Sequence, residues 1–391
     1  MIDEMLYSYM NEILSRTTTQ FYRYMYNIID WNSRLIGIIG PRGVGKTTML
    51  LQYIKNHLHE GSHLYVSVDN IYFSTHTIIE LADDFVKEGG THLYIDEVHK
   101  YKGWSRELKQ IYDVHPDLKV TFTGSSILDI QKGEADLSRR TVMYNMQGLS
   151  FREYLEMKYK IKVPSYTLED IINHKVQILE PAHPLPIFRE YLASGYYPFA
   201  KEGSFETRMQ QVITQTVESD ISQYADIKAS TARKLKRMLA VISTIAPFKP
   251  NYSNLAVEIG VNKSNVPEYL TYLDRAGMIS QLWDDTMGMR GLGKIEKVYI
   301  DNPSLMTILA GGNPNIGNLR ETFFYNQMRV NNEVLASRVS DFTIGKYTFE
   351  IGGKNKGRKQ IESVQDGFIV KDDIEYGHGI VVPLWQFGFN Y

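Results

Sequence analysis

Gly40, Pro41, Arg42, Gly43, Val44, Gly45, Lys46 and Thr47 follow one another in the pattern G-x-x-x-x-G-K-[ST]. Glycines at these spacings let backbone N–H groups turn inward onto phosphate oxygens, and a helix starting at Thr47 would add the positive end of its dipole. Lys46 would neutralise β and γ phosphates, the Thr47 hydroxyl would ligate magnesium, and Thr48 completes the nucleotide-binding set. The pattern should arise by chance roughly once in a hundred chains of this length, and less often between a strand and a helix. An ordinary glycine turn is therefore the weaker reading.

A second stretch, Leu93-Tyr94-Ile95-Asp96-Glu97, is an apolar strand that delivers two acids at its C-terminal end. Asp96 would hold the magnesium shell, and Glu97 would orient and deprotonate the attacking water, which requires a carboxylate within about 3 Å. Acids ending a strand are common, so this pair gains meaning only downstream of the phosphate loop. Thr121 to Ser126 ends another strand in small hydroxyl residues, of which Ser125 is the candidate sensor of the γ phosphate. Arg139 and Arg140 are candidate arginine fingers, acting in cis or from a neighbouring subunit, with a solvated charge pair as the bland alternative. His99 and Trp104 read more readily as a loop contact and core packing than as catalysts.

The elements that must position these residues alternate. Strands are expected at Leu35 to Ile39, Leu64 to Val68, Leu93 to Ile95 and Val120 to Thr123, with helices at Thr47 to Leu58, Thr77 to Val86 and Trp104 to Val114. Alternation of this kind predicts an α/β fold, a P-loop parallel sheet with helices on both faces. Beyond it the text predicts a helical connector over 151–228, interrupted by prolines 181, 184 and 186. Helices at Ala232 to Ile245, Asn254 to Ile259 and Ser264 to Ala276, then strands at Ile279 to Trp283 and Ile295 to Ile300, make a winged helix-turn-helix pattern over 229–300. A small C-terminal α/β domain is expected over 301–391, with a helix at Leu319 to Val330 and strands near Phe342, Tyr347, Phe368 and Ile380.

Composition narrows the classes. The chain has 391 residues, a formal net charge of −2 and no cysteine. Disulfides, zinc-cysteine sites and thiol catalysis are excluded, and a reducing, cytoplasmic setting is expected. Near-neutral charge means that contact with nucleic acid must come from local patches. The start of the chain carries Asp3 and Glu4, lacks a signal-peptide pattern, and no apolar run of about 18 residues appears anywhere, so no membrane partner is expected.

With these residues in place, the chain resembles the prokaryotic AAA-type ATPases that carry a C-terminal nuclease-like domain. Besides the phosphate loop and Asp96-Glu97, the resemblance rests on Thr123 to Ser126, Leu149 to Tyr154 and Gly195 to Pro198. Further along it rests on Phe349 to Lys356, Asp372 to Glu375 and Pro383 to Phe389. It implies an AAA-like core over 1–150, a winged-helix middle and a C-terminal domain similar to restriction-endonuclease folds, with ATP and Mg²⁺ as cofactors. The resemblance favours ATP over GTP, and no guanine-reading N-K-x-D pattern occurs. An oligomer is compatible with this class.

For the middle, Lys263, Ser264, Asn265 and Tyr269 on or near the third helix, with Arg233, Lys234, Lys236 and Arg237 before it, are the candidate contacts to double-stranded DNA. Glu258, Glu268, Asp284 and Asp285 weigh against DNA and leave a protein partner as the alternative. In the tail, Glu321, Asp341, Glu350 and Lys354 resemble the acidic cluster of restriction-type nucleases, in a spacing that departs from theirs. The position two after Glu350 is Gly352, and the four residues of strand to Lys354 span about 13 Å unless the glycines bulge. A degenerate, binding or regulatory tail is the favoured reading over an ATP-controlled nuclease, and an ATP-gated switch with little turnover competes with a true hydrolase.

Overall fold

The computed structural model describes residues 2–124, 137, 139–178, 180–222, 227–285 and 294–391. Contacts gather the chain into two units, Met1–Gly148 and Leu149–Tyr391.

In the first unit, β1 (Leu35–Ile39), β2 (His63–Ser67), β3 (His92–Asp96), β4 (Lys119–Gly124) and β5 (Val142–Asn145) form one sheet in the order β2-β3-β4-β1-β5. Every pairing is parallel. Parallel strands are covered on both faces, which is why β1 is an unbroken apolar run, Leu-Ile-Gly-Ile-Ile, buried throughout. Its one glycine, Gly37, lies between Met143 of β5 and Phe122 of β4, where a Cβ would collide with both side chains. Side chains alternate between the faces. Leu64, Val66, Leu93 and Ile95 share one cluster with Leu81 and Phe85 of α3 (Ile78–Lys87) and Leu108 and Ile111 of α4 (Trp104–Val114). Tyr65 and Tyr94 share another with Met10 and Leu14 of α1 (Glu4–Arg16) and Leu50, Leu51 and Ile54 of α2 (Lys46–His57). Each such leucine contributes about 1.5–3 kcal/mol on burial. The start of α3 is fixed by a capping box: Thr77 accepts from the Glu80 N–H while Glu80 accepts from the Thr77 N–H.

The four expected strands and three expected helices are present within a residue or two, whereas α1 and β5 were not anticipated. β5 is an edge strand with a half-exposed pattern, so it lacks the continuous apolar signature of its neighbours.

The second unit opens with short helices, including Leu185–Glu190 and Phe205–Thr214. Three helices follow, α5 (Ala229–Ile245), α6 (Tyr252–Ile259) and α7 (Val266–Arg275), and then an antiparallel hairpin of β6 (Ile279–Trp283) and β7 (Ile295–Ile300). Gly260 ends α6 in the left-handed conformation at φ 68°, which suits a residue without a Cβ. Phe248, between α5 and α6, adds an antiparallel bridge to Val298 of β7. After α8 (Ile316–Met328) comes a second five-stranded sheet in the order β12-β11-β10-β9-β8. It comprises β8 (Leu335–Ala336), β9 (Phe342–Ile344), β10 (Tyr347–Gly352), β11 (Gly367–Lys371) and β12 (Val381–Pro383). β10, β11 and β12 are parallel, while β8 and β9 are antiparallel additions. Phe324 of α8 anchors the helix to this sheet through rings at 5.1 Å (Phe342) and 5.3 Å (Phe349), and meets Phe387 in the turn after β12 at 4.9 Å. Among the described residues, no helix is long and apolar enough to cross a membrane.

Candidate nucleotide site

The loop from Gly40 to Thr47 leaves the C-terminal end of β1, the edge of a parallel sheet where ligands bind in open α/β folds. Gly40, Gly43 and Gly45 have φ of 152°, 82° and 98°, and Gly45 is the N-cap of α2. A cap with no side chain leaves the first-turn amides to an anion rather than to a serine or aspartate. Lys46 is buried and donates to the carbonyls of Gly40 and Pro41, both at 2.8 Å, so its ammonium is folded into the loop. Thr47 donates to Asp96 Oδ2 at 2.7 Å. Asp96 also accepts from the Tyr65 hydroxyl at 2.9 Å and from the Thr123 hydroxyl. A hydroxyl and a carboxylate side by side form the hard oxygen set that suits Mg²⁺.

Glu97 follows with φ 55°, left-handed for a residue with a Cβ, a conformation that costs on the order of 1–3 kcal/mol and concentrates at functional sites. Its N–H donates to Thr123 Oγ1 at 3.2 Å. Its carboxylate is paired with Lys100, whose ammonium also meets Asp69 Oδ2 at 2.9 Å. Burial works against the Lys100 ammonium, but Glu97 and Asp69 outweigh it and hold its pKa above the ordinary value. His99 is pushed down to about 3, first by burial and then by Lys46, Arg42 and Lys100, so it is neutral near pH 7. Trp104 packs in the core with its ring 5.6 Å from that of Phe122.

Ser125 lies outside the described residues. Arg139 and Arg140 do not reach the loop from within the same chain. They precede β5, whose first residue pairs with Ile36, whereas the loop begins after the last residue of β1, about 13 Å further along the sheet. Arg140 instead makes a two-point pair with Asp113 at 2.9 and 3.1 Å, and Arg139 is exposed. Thr123 belongs to the hydroxyl-rich strand end expected near the phosphates and bonds Asp96 instead, whereas Tyr65, Asp69 and Lys100 were not singled out from sequence. Lys100, three residues after Glu97 in a tight turn, is the one whose spacing could have announced it.

In the second unit, Arg233, Arg237, Lys263 and Ser264 are exposed. Lys236 is exposed too, but spends its charge on Glu218 at 2.8 Å. Lys234 and Asn265 line a shallow groove with Ala256, Val257 and Asn262. Tyr269 is no surface contact: it is buried on the same side of α7 as Val266, Leu270 and Leu273.

The tail acids are gathered, with a different lysine from the expected one. Lys297 of β7 meets Glu321 at 3.0 Å and Asp341 at 3.6 Å, and Tyr299 donates to Glu321 at 2.8 Å. Glu350 is paired with Lys356 and accepts from Ser340. Lys354 is exposed, because the chain turns back at Gly352 and Gly353 and lays the stem of Lys356 where a Gly352 Cβ would be. Asp341 is raised to about 6 by burial first and by Glu321 next, against the Ile351 N–H that donates to it at 2.8 Å. Among the described residues, no group of three acidic or histidine side chains is arranged to hold a metal ion.

Residues 32–155 match the family model of an AAA domain, and residues 185–315 match that of a domain of unknown function. An uncharacterized protein of Methanocaldococcus jannaschii is 24% identical over 305 residues, 69% of this chain, and the chain spans 63% of that relative's length. Among solved structures, a Walker-type ATPase of Pyrococcus abyssi is 14% identical with a TM-score of 0.42, covering 71% of this chain and 91% of its own. A RuvB variant of Thermotoga maritima is 16% identical with a TM-score of 0.32, covering 72% and 89%. AMPPCP-bound DnaA from Aquifex aeolicus is 14% identical with a TM-score of 0.24, covering 70% and 89%. The phosphate loop stands on this parallel sheet within the residues that match the AAA model, so the first unit carries a P-loop domain similar to those of the AAA type.

Proposed function

We propose that the chain is a magnesium-dependent ATP hydrolase whose nucleotide state controls a DNA- or protein-binding second unit. The observation that carries it is the hydroxyl of Thr47 against the carboxylate of Asp96, with Glu97 next in the chain. In this reading the backbone N–H groups of residues 42–48 hold the phosphates, and Lys46 leaves the Gly40 and Pro41 carbonyls for the β and γ oxygens. Thr47 and Asp96 would hold the magnesium ion, which supplies charge neutralisation across those oxygens when bound. Glu97, freed from Lys100, accepts the proton of the attacking water. The new O–P bond forms on the γ phosphorus as its bond to the β–γ bridging oxygen breaks, leaving ADP and phosphate.

Beyond this core, a connector over 151–228, a winged helix over 229–300 and a tail over 301–391 form the output. Support for DNA comes from the exposed Arg233, Arg237, Lys263 and Ser264. In the tail we read Glu321, Asp341 and Glu350 as an ion-paired structural cluster, since lysines already meet them.

The test is ATP turnover by the full chain, with and without magnesium and duplex DNA. Lys46→Ala should lose nucleotide binding, whereas Glu97→Gln should keep binding and lose turnover by about 10²–10⁴-fold. Magnesium-independent turnover, or turnover intact in Glu97→Gln, would sink the assignment. The pairing of Glu97 with Lys100 favours a second reading of the same site, a nucleotide-gated switch with slow hydrolysis. Tight binding with negligible turnover in the unmodified protein would select it.

A further inference from the structure

Arg23 lies in the segment between α1 and β1 and is 4% exposed. Its guanidinium donates to three main-chain carbonyls on two distant stretches of chain. One is that of Val44, in the middle of the phosphate loop. The others are those of Gln147 at 2.7 Å and Gly148 at 2.8 Å, the last two residues of the first unit. A planar, permanently charged fork is the side chain suited to such a bridge.

The same two stretches also meet directly. Met146 N–H donates to the Ile39 carbonyl at 2.7 Å, and Gly40 lies so close to the Met146 carbonyl that a Cβ would collide with it. Residues 146–148 therefore line one side of the phosphate loop, in backbone contact at Gly40 and in guanidinium contact at Val44. When Lys46 turns to phosphate it gives up the Gly40 and Pro41 carbonyls, so the loop loses two of the bonds that hold its present form. A shift of the loop changes what Arg23 can reach on the far side.

Resting on the ATPase reading above, we infer that Arg23 is a positioning residue that transmits occupancy of the phosphate loop to the backbone of residues 147–148, where the chain leaves the first unit. An arginine that merely filled the core would keep the loop and residues 147–148 in place without making one respond to the other.

The experiment is hydrogen–deuterium exchange on the full chain, with and without saturating magnesium and a non-hydrolysable ATP analogue. Wild type, Arg23→Gln and Arg23→Lys are compared after circular dichroism confirms folding. In wild type, peptides from the phosphate loop and from residues 144–148 should both change on binding. In Arg23→Gln the loop should still respond at saturation while the response at 144–148 is lost. Arg23→Lys keeps the charge but cannot span both stretches, should also lose the second response, and carries the test if the Gln variant does not fold. An unchanged response at 144–148 in these variants, or none in wild type when the loop responds, overturns the inference and leaves the ATPase reading standing. No response of the loop in wild type overturns both.

Discussion

Asp96 accepts from three hydroxyls, those of Thr47, Tyr65 and Thr123, while its neighbour Glu97 is tied to an ammonium. At the scale of single residues the two acids differ: one is oriented by neutral donors, the other by a cation, which the proposed role as base would require it to release. Lys100→Met should raise basal ATP turnover several-fold, measured as phosphate release, at a stability change within the roughly 0–1 kcal/mol of a part-exposed pair. A fall in turnover would mean that Lys100 aligns Glu97 rather than restrains it. In the tail, Asp341 is the residue with a pH signature. Its carboxyl titrates near 6 in the folded chain, above the value of about 4 expected unfolded. The folded state therefore holds the extra proton between these values, and stability falls as pH rises through that window, by on the order of 3 kcal/mol before relaxation is allowed for. Asp341→Asn should flatten this dependence, so that its melting temperature relative to wild type climbs from pH 4 to above pH 6. Parallel curves for the two proteins would refute the assignment.

At the scale of elements, the loop works because glycine stands where the backbone comes closest. Gly40 combines φ 152° with the Met146 carbonyl where a Cβ would be. Gly40→Ala should weaken nucleotide binding by about tenfold or more and destabilise the chain by roughly 1–3 kcal/mol, read by calorimetric titration and thermal melts. How much was legible in sequence follows from the same geometry. β1 to β4 are buried on both faces, so their apolar runs stand out, and the phosphate loop is one contiguous motif. Tyr65 and Asp69 escape notice because they reach Asp96 or Lys100 from other strands and loops, through pairings that no local spacing encodes. Lys356 escaped for a different reason. Only the reversal at Gly352 and Gly353 returns it to Glu350, whereas the resemblance to nucleases draws attention to Lys354.

At the scale of the whole molecule, no sheet is shared between the units among the described residues, and nucleotide should act first on the sheet that carries the loop. At a hundred times its dissociation constant, a ligand that binds only the folded state adds about 2.7 kcal/mol. Exchange of the β3 amides, deep in that sheet, should slow accordingly with magnesium-ATP analogue and remain unchanged in Lys46→Ala. Strand order has one more consequence, and it concerns the chain before it is finished. β1 is the first strand made, yet its partners are β4 and β5, so both of its edges wait for residues 119–145. At about 5–20 residues per second, the ribosome leaves Leu35–Ile39 unpaired for roughly 5–20 s, an apolar strand with two open edges. The stretch that leads into the phosphate loop is, during synthesis, an apolar strand for a chaperone to shield.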